Sequence, residues 1–116
     1  MNKHILIVDD EADVRFLVKS ALKSRGCEVD GSANLKECLQ MLDRYQPDYL
    51  ILDIDLPDGS GLDAIPTIKQ YAPQTDIIIN SALGTAQNKA RAEELGVEIF
   101  LTKPLDRGEL FKVLEV

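Results

Sequence analysis

The sequence is short of the residues that many chemistries require. Its 116 residues include two cysteines and a single histidine. Cys27 and Cys38 form no CxxC pair and have no cluster of histidines or cysteines around them, so they read as reduced, partly buried thiols. His4 heads an apolar run without a partner in sequence, so a general base is not expected there. No apolar run reaches the length of a membrane span, and the longest, around Ile77 to Ile79, is strand-sized. Met1-Asn2-Lys3-His4 leads straight into Ile5-Leu6-Ile7-Val8 with no long apolar stretch or small-residue cleavage site. No secretory signal is read, and a cytoplasmic location is expected. Positive charge is also scarce: 13 Lys and Arg stand against 20 Asp and Glu, a net charge of −7. With no basic stripe, the domain itself is not expected to bind nucleic acid. Internal repeats, linkers and low-complexity tracts are missing, and no GxGxxG follows the first strand to cradle a dinucleotide.

What is present is apolar patterning. Apolar residues make up 45% of the chain, enough for the core of one domain over residues 1–116. His4 to Val8, Glu28 to Gly31, Asp48 to Asp53, Thr75 to Asn80 and Val97 to Leu101 read as strands, the nearly continuous apolar ones buried on both faces. Between them run helical patterns. Val14, Leu17, Val18, Ala21 and Leu22 share one face of a first helix ended by Gly26. Asn34, with Glu37 three residues on, caps a second helix striped by Leu35, Cys38, Leu39 and Leu42. Ser60 caps a third with Leu62, Ile65 and Ile68 inside, where Pro66 predicts a kink or a late start. The fourth, Thr85 to Leu95, offers only Leu95 as a large apolar residue and is expected to pack weakly. The last carries Leu110, Phe111 and Leu114.

Five βα units with short connections predict an α/β fold: a five-stranded parallel sheet between two helical layers, flavodoxin-like, in strand order 2-1-3-4-5. Ligands in such sheets bind at the carboxyl ends of the strands near the switch point between strands one and three. Those ends supply Asp9 and Asp10, Asp53, Ser81 and Lys103. Three carboxylates meeting in a crevice repel one another unless a cation joins them, and Mg²⁺ takes one or two carboxylates together with water and phosphate oxygens. An ammonium and a hydroxyl beside them complete what a transferring phosphoryl group needs.

The same residues carry a resemblance along nearly the whole chain. Val8-Asp9-Asp10-Glu11, Leu52-Asp53-Ile54-Asp55-Leu56-Pro57 with Gly59 and Gly61, Ser81-Ala82, and Phe100-Leu101-Thr102-Lys103-Pro104 resemble the receiver domain of two-component response regulators. The resemblance implies a phosphorylation switch, not an enzyme beyond self-catalysed phosphorylation and dephosphorylation. Asp53 is the implied phosphoacceptor, charged by a sensor histidine kinase or a phosphotransfer protein. Mg²⁺, with Mn²⁺ able to replace it, is implied at Asp9, Asp10, Asp53 and the backbone carbonyl of Asp55. Ser81 and Lys103 are implied to grip the phosphoryl oxygens, the Lys103–Pro104 bond to be cis, and Phe100 to move with Ser81 as the switch. Signalling is implied through the face of the fourth helix, fifth strand and fifth helix, to a second copy or to another partner. The last helix stops at Val116, slightly short for the family, which leaves room for an output domain or a kinase outside this chain. Asp55 and Leu83 occupy positions tied in the family to the lifetime of the phosphoryl group, where an acid and a leucine are not the usual residues.

Two rivals share parts of this pattern. Ile51-Leu52-Asp53-Ile54-Asp55 also resembles the first motif of haloacid-dehalogenase-type phosphatases, with Asp53 as nucleophile and Asp55 as acid/base. Pro57 in place of the expected Thr or Val, the acidic pair before rather than after the nucleophile, and no acidic motif after Lys103 argue against it. A receiver-like scaffold that signals without phosphate usually lacks one of the five residues, and none is missing here.

Overall fold

Short apolar runs ending in acidic or polar residues set the pattern of the chain, and the computed structural model describes residues 2–116. The elements run β1 (His4–Val8), α1 (Ala12–Lys23), β2 (Glu28–Ser32), α2 (Leu35–Leu42), β3 (Tyr49–Leu52), β4 (Asp55–Leu56), β5 (Gly59–Ser60), α3 (Gly61–Tyr71), β6 (Asp76–Ser81), α4 (Ala86–Glu94), β7 (Ile99–Thr102) and α5 (Arg107–Leu114). The main sheet is parallel in the order β2-β1-β3-β6-β7, the 2-1-3-4-5 order of a flavodoxin-like fold. The antiparallel β4–β5 pair is a small hairpin that the sequence pattern did not announce.

Because strand side chains alternate, each strand feeds two cores. Leu6, Val8, Leu50, Leu52, Ile77 and Ile79 face one side, against Cys38 and Leu42 of α2 and Leu62, Ile65 and Ile68 of α3. Ile5, Ile7, Ile51 and Ile78 face the other, against Val18 and Leu22 of α1 and Leu110 and Leu114 of α5. Burial pushes the Cys38 thiol up to about 12, which leaves it an inert packing group at neutral pH.

Helix ends follow the capping residues. The Asn34 side chain accepts from the Glu37 N–H at 2.8 Å, and Glu37 accepts from the Ala33 N–H at 3.0 Å. Thr85 and Asp106 cap α4 and α5 in the same way. Asp58, in the turn between β4 and β5, reaches across to α2, where its two oxygens accept from the Leu35 and Lys36 N–H groups at 2.9 and 3.0 Å. Those bonds hold its carboxyl below the usual range.

Three expectations need correction. Leu17 is 61% exposed, because the inner face of α1 narrows to Val18, Ala21 and Leu22. Pro66 lies inside α3, and its exposed ring is accommodated in a helix that starts directly after the Ser60 cap, so a late start does not occur. The last strand begins at Ile99 rather than Val97, because the Val97 N–H is used to close α4 on the Ala92 carbonyl at 2.9 Å, around Gly96 at φ +88°. Helix α4 buries only Ala92, in keeping with its thin apolar stripe.

Candidate functional site

Parallel strands deliver their carboxyl ends to one edge of the sheet. Val8 pairs with Leu52, so the next residues, Asp9 and Asp53, emerge side by side. One carboxylate oxygen from each of Asp9, Asp10 and Asp53 lies within 4.8 Å of the others. Asp9 and Asp53 are buried and Asp10 is exposed. Lys103, just past β7, places Nζ 2.9 Å from Asp9 Oδ2, 3.0 Å from Asp53 Oδ2 and 3.5 Å from Glu11 Oε2. The Lys103–Pro104 peptide bond is cis.

The backbone finishes the cradle. Asp9 Oδ1 accepts from the Glu11 N–H at 2.9 Å, and Asp53 Oδ1 accepts from the Asp55 N–H at 3.4 Å. Arg15 Nη1 donates to the Asp9 carbonyl at 2.7 Å, steadying the turn between β1 and α1. Ser81 is buried at the end of β6, with its Oγ accepting from the Leu83 N–H at 3.1 Å, which leaves the hydroxyl proton free to be donated. The Ser81 carbonyl accepts from the Lys103 N–H at 2.9 Å, tying the two loops together.

Burial raises the Asp9 carboxyl, against the Lys103 ammonium and the Glu11 N–H, while the nearby Asp53 charge pushes it further up. Burial pulls the Lys103 ammonium down, but its bonds to Asp9 and Asp53 and their charges outweigh this and hold it above its ordinary value. Three carboxylates against one ammonium still leave the cluster net anionic. Asp9 Oδ2 is buried, and its one close polar neighbour among the described residues is the Lys103 ammonium at 2.9 Å. Clustered hard oxygens, two of the carboxylates buried, and excess negative charge suit a divalent cation.

Other candidates stand apart from the cluster. Phe100 is half-buried on the opposite side of the sheet, in the core shared with α2 and α3, with Lys89 Nζ 5.8 Å from its ring centre. The Asp55 side chain is exposed, and Leu83 is 44% exposed. Several residues that build the site carried no assigned role in the sequence reading. Glu11 faces Lys103, Arg15 holds the Asp9 carbonyl, and Gly61 donates its N–H to the Ile54 carbonyl at 2.7 Å behind the loop that follows Asp53. The signals available for the first two were the place of Glu11 in the Val8-Asp9-Asp10-Glu11 run and its spacing of one helical turn from Arg15.

A sequence profile of the family described as the response regulator receiver domain matches residues 5–115. This chain belongs to that family. Receiver domains are signalling modules, and the match covers all the strand ends described above. The chain is 34% identical over 115 residues to the chemotaxis protein CheY of Thermotoga maritima, covering 98% of this chain and 96% of that protein. It is 40% identical over 105 residues to the response regulator protein PilR of Pseudomonas aeruginosa, covering 90% of this chain but 24% of PilR. The chain therefore spans about a quarter of that relative's length. A receiver domain protein from Methanospirillum hungatei superposes with a TM-score of 0.93 at 24% identity, covering 99% and 92% of the two chains. The beryllofluoride-activated DrrB receiver domain gives 0.90 at 25% identity, covering 99% and 96%. These relatives give no support to the haloacid-dehalogenase reading.

Proposed function

We propose that this receiver domain takes a phosphoryl group onto Asp53 in a reaction that depends on a divalent cation. The carrying observation is the Lys103 ammonium held between Asp9 and Asp53 within a cluster of three carboxylates. An Asp53 oxygen attacks phosphorus, the bond from phosphorus to a phosphohistidine nitrogen breaks, and the group remains as an acyl phosphate. Lys103 and the Ser81 hydroxyl then bind the phosphoryl oxygens. Asp9, Asp10, Asp53 and the Asp55 carbonyl would hold Mg²⁺ or Mn²⁺, which supplies positive charge to those oxygens as they shift.

The donor is a sensor histidine kinase or a phosphotransfer protein, and residues 1–116 act as one receiver unit in the cytoplasm. The phosphorylated state is read on the face of α4, β7 and α5, where Ser81 and Phe100 rearrange together, by a second copy or an output domain. Among the described residues no helix is long and apolar enough to cross a membrane. The test is acetyl phosphate with Mg²⁺, followed by borohydride trapping and mass spectrometry. Label is expected on Asp53 and should vanish in Asp53→Asn or after chelation. Equal labelling of that variant would refute the assignment.

A further inference from the structure

Strand β6 reads Asp76-Ile77-Ile78-Ile79-Asn80-Ser81, and its one interior carboxamide is out of keeping with its surroundings. Asn80 is 1% exposed, yet neither Oδ1 nor Nδ2 has a hydrogen-bond partner. An unpaired buried amide is costly, so a partner in some state of the molecule is expected.

The sheet register shows where that partner lies. Leu52 pairs with Ile79, so one residue further along both strands Asn80 stands beside Asp53. Side-chain alternation puts both on the face covered by α1 and α5, in one row with Asp9 on one side and Leu101 on the other. Asn80 and Lys103 also line the same cavity of about 500 Å³, together with Glu11 and the apolar Val14, Val18 and Leu105.

Lys103 Nζ sits on two of the carboxylates that would hold a cation. Its contacts, Asp9 Oδ2 and Asp53 Oδ2, belong to two of the three clustered carboxylates. A divalent ion drawn to those oxygens competes with the ammonium, which must give up at least one of them. An ammonium that loses one of these carboxylates keeps the other and the exposed Glu11 at 3.5 Å, and needs a buried acceptor to replace the bond it lost.

We infer that Asn80 is a positioning residue for Lys103: its Oδ1 accepts the ammonium when a metal ion takes the Asp9 carboxylate. The cavity supplies the room for the lysine stem to swing, and Asn80 supplies an acceptor in its lining. The unpaired Oδ1 thereby gains a partner in the metal-loaded state. This inference rests on the metal-dependent reading above.

The experiment titrates MgCl₂ alone, without a phosphodonor, and follows the amide resonances of Asp9, Asp10 and Asp53. Asn80→Leu, of similar size, should weaken Mg²⁺ binding about tenfold, as expected for one hydrogen bond to a charged group. In a Lys103→Met background the same substitution should change the affinity by less than about twofold, because the group it serves is gone. Equal affinity of the wild type and Asn80→Leu would overturn the inference, and so would the same loss in both backgrounds. Asn80→Ala, with circular dichroism to verify folding, gives the same comparison should leucine overfill the site. Failure of the wild type to bind Mg²⁺ would overturn the metal reading and this inference with it. Binding that ignores Asn80 would overturn this inference alone.

Discussion

Gly61 presses against the main chain of Asp53 so closely that a Cβ at Gly61 would lie 2.1 Å from the Asp53 carbonyl oxygen. The constraint is steric, since backbone atoms on both sides cannot yield as a flexible side chain would. The acceptor loop is thus braced by the first residue of α3. Gly61→Ala should cost about 3 kcal/mol or more, in line with severe overpacking, and should displace the loop that carries Asp53. Urea unfolding measures the loss. A midpoint unchanged from wild type would contradict the contact.

Lys103 balances two buried carboxylates, and its removal should be felt most without metal. Lys103→Met is expected to lose about 3 kcal/mol at neutral pH and low Mg²⁺, the scale seen when one partner of a buried ion pair is removed. Millimolar Mg²⁺ should restore more stability to this variant than it adds to the wild type, because no ammonium competes for the same oxygens. Asp53→Asn should act in the opposite sense, melting higher than wild type in chelator. Thermal melts of the three proteins with and without Mg²⁺ decide the matter.

Asp58 gives a pH dependence with a definite sign. Its folded pKa is depressed, chiefly by the N–H groups of Leu35 and Lys36. Its contribution is therefore complete above the unfolded carboxylate value of about 4 and is lost as pH falls through the folded value. Asp58→Asn should melt below wild type at neutral pH, and the gap should close on acidification below about pH 4. A gap that stays constant with pH would show that the charge plays no part.

The lifetime of the phosphoryl group tests Leu83 and Asp55. Hydrolysis needs a water in line with the acyl phosphate bond, and a leucine can neither donate to that water nor accept from it. Asp55 has opposing effects, repelling the phosphoryl charge while attracting the cation. Leu83→Glu should therefore lose phosphate faster than wild type after the donor is removed. Slower loss in the variant would refute the shielding role.

The switch should be concentrated in the thinly packed part of the fold. With only Ala92 of α4 buried, two arrangements of the segment from Ser81 to Lys103 can lie close in energy. Hydrogen exchange before and after phosphorylation should differ mainly there. Changes centred on α1 and α2 would argue against it.

Strand positions and the strand-end residues Asp9, Asp53, Ser81 and Lys103 were legible because buried parallel strands read as apolar runs with polar ends. What was illegible depended on three-dimensional competition. The periodicity of α1 includes Leu17, but no neighbouring element covers that edge of the helix, and Leu17 stays exposed. Val97 is a good strand residue by type, yet its N–H is committed to the end of α4. Asp58 looks like an ordinary turn residue, since nothing local reveals the α2 terminus it reaches. Asn80 showed only as one polar residue in an isoleucine run, and its unusual position follows from register with β3 rather than from its own neighbourhood.

The sheet also partitions how this molecule can vary. Leu50 and Leu52 belong to one core, while Tyr49 and Ile51 belong to the other, with the strand backbone between them. Substitutions on opposite sides of that partition share no side-chain partners, so their energetic effects should add; pairs within one core should show epistasis. A lineage could then repack the core under α2 and α3 while leaving the side chains on the Asp53 side of the sheet untouched.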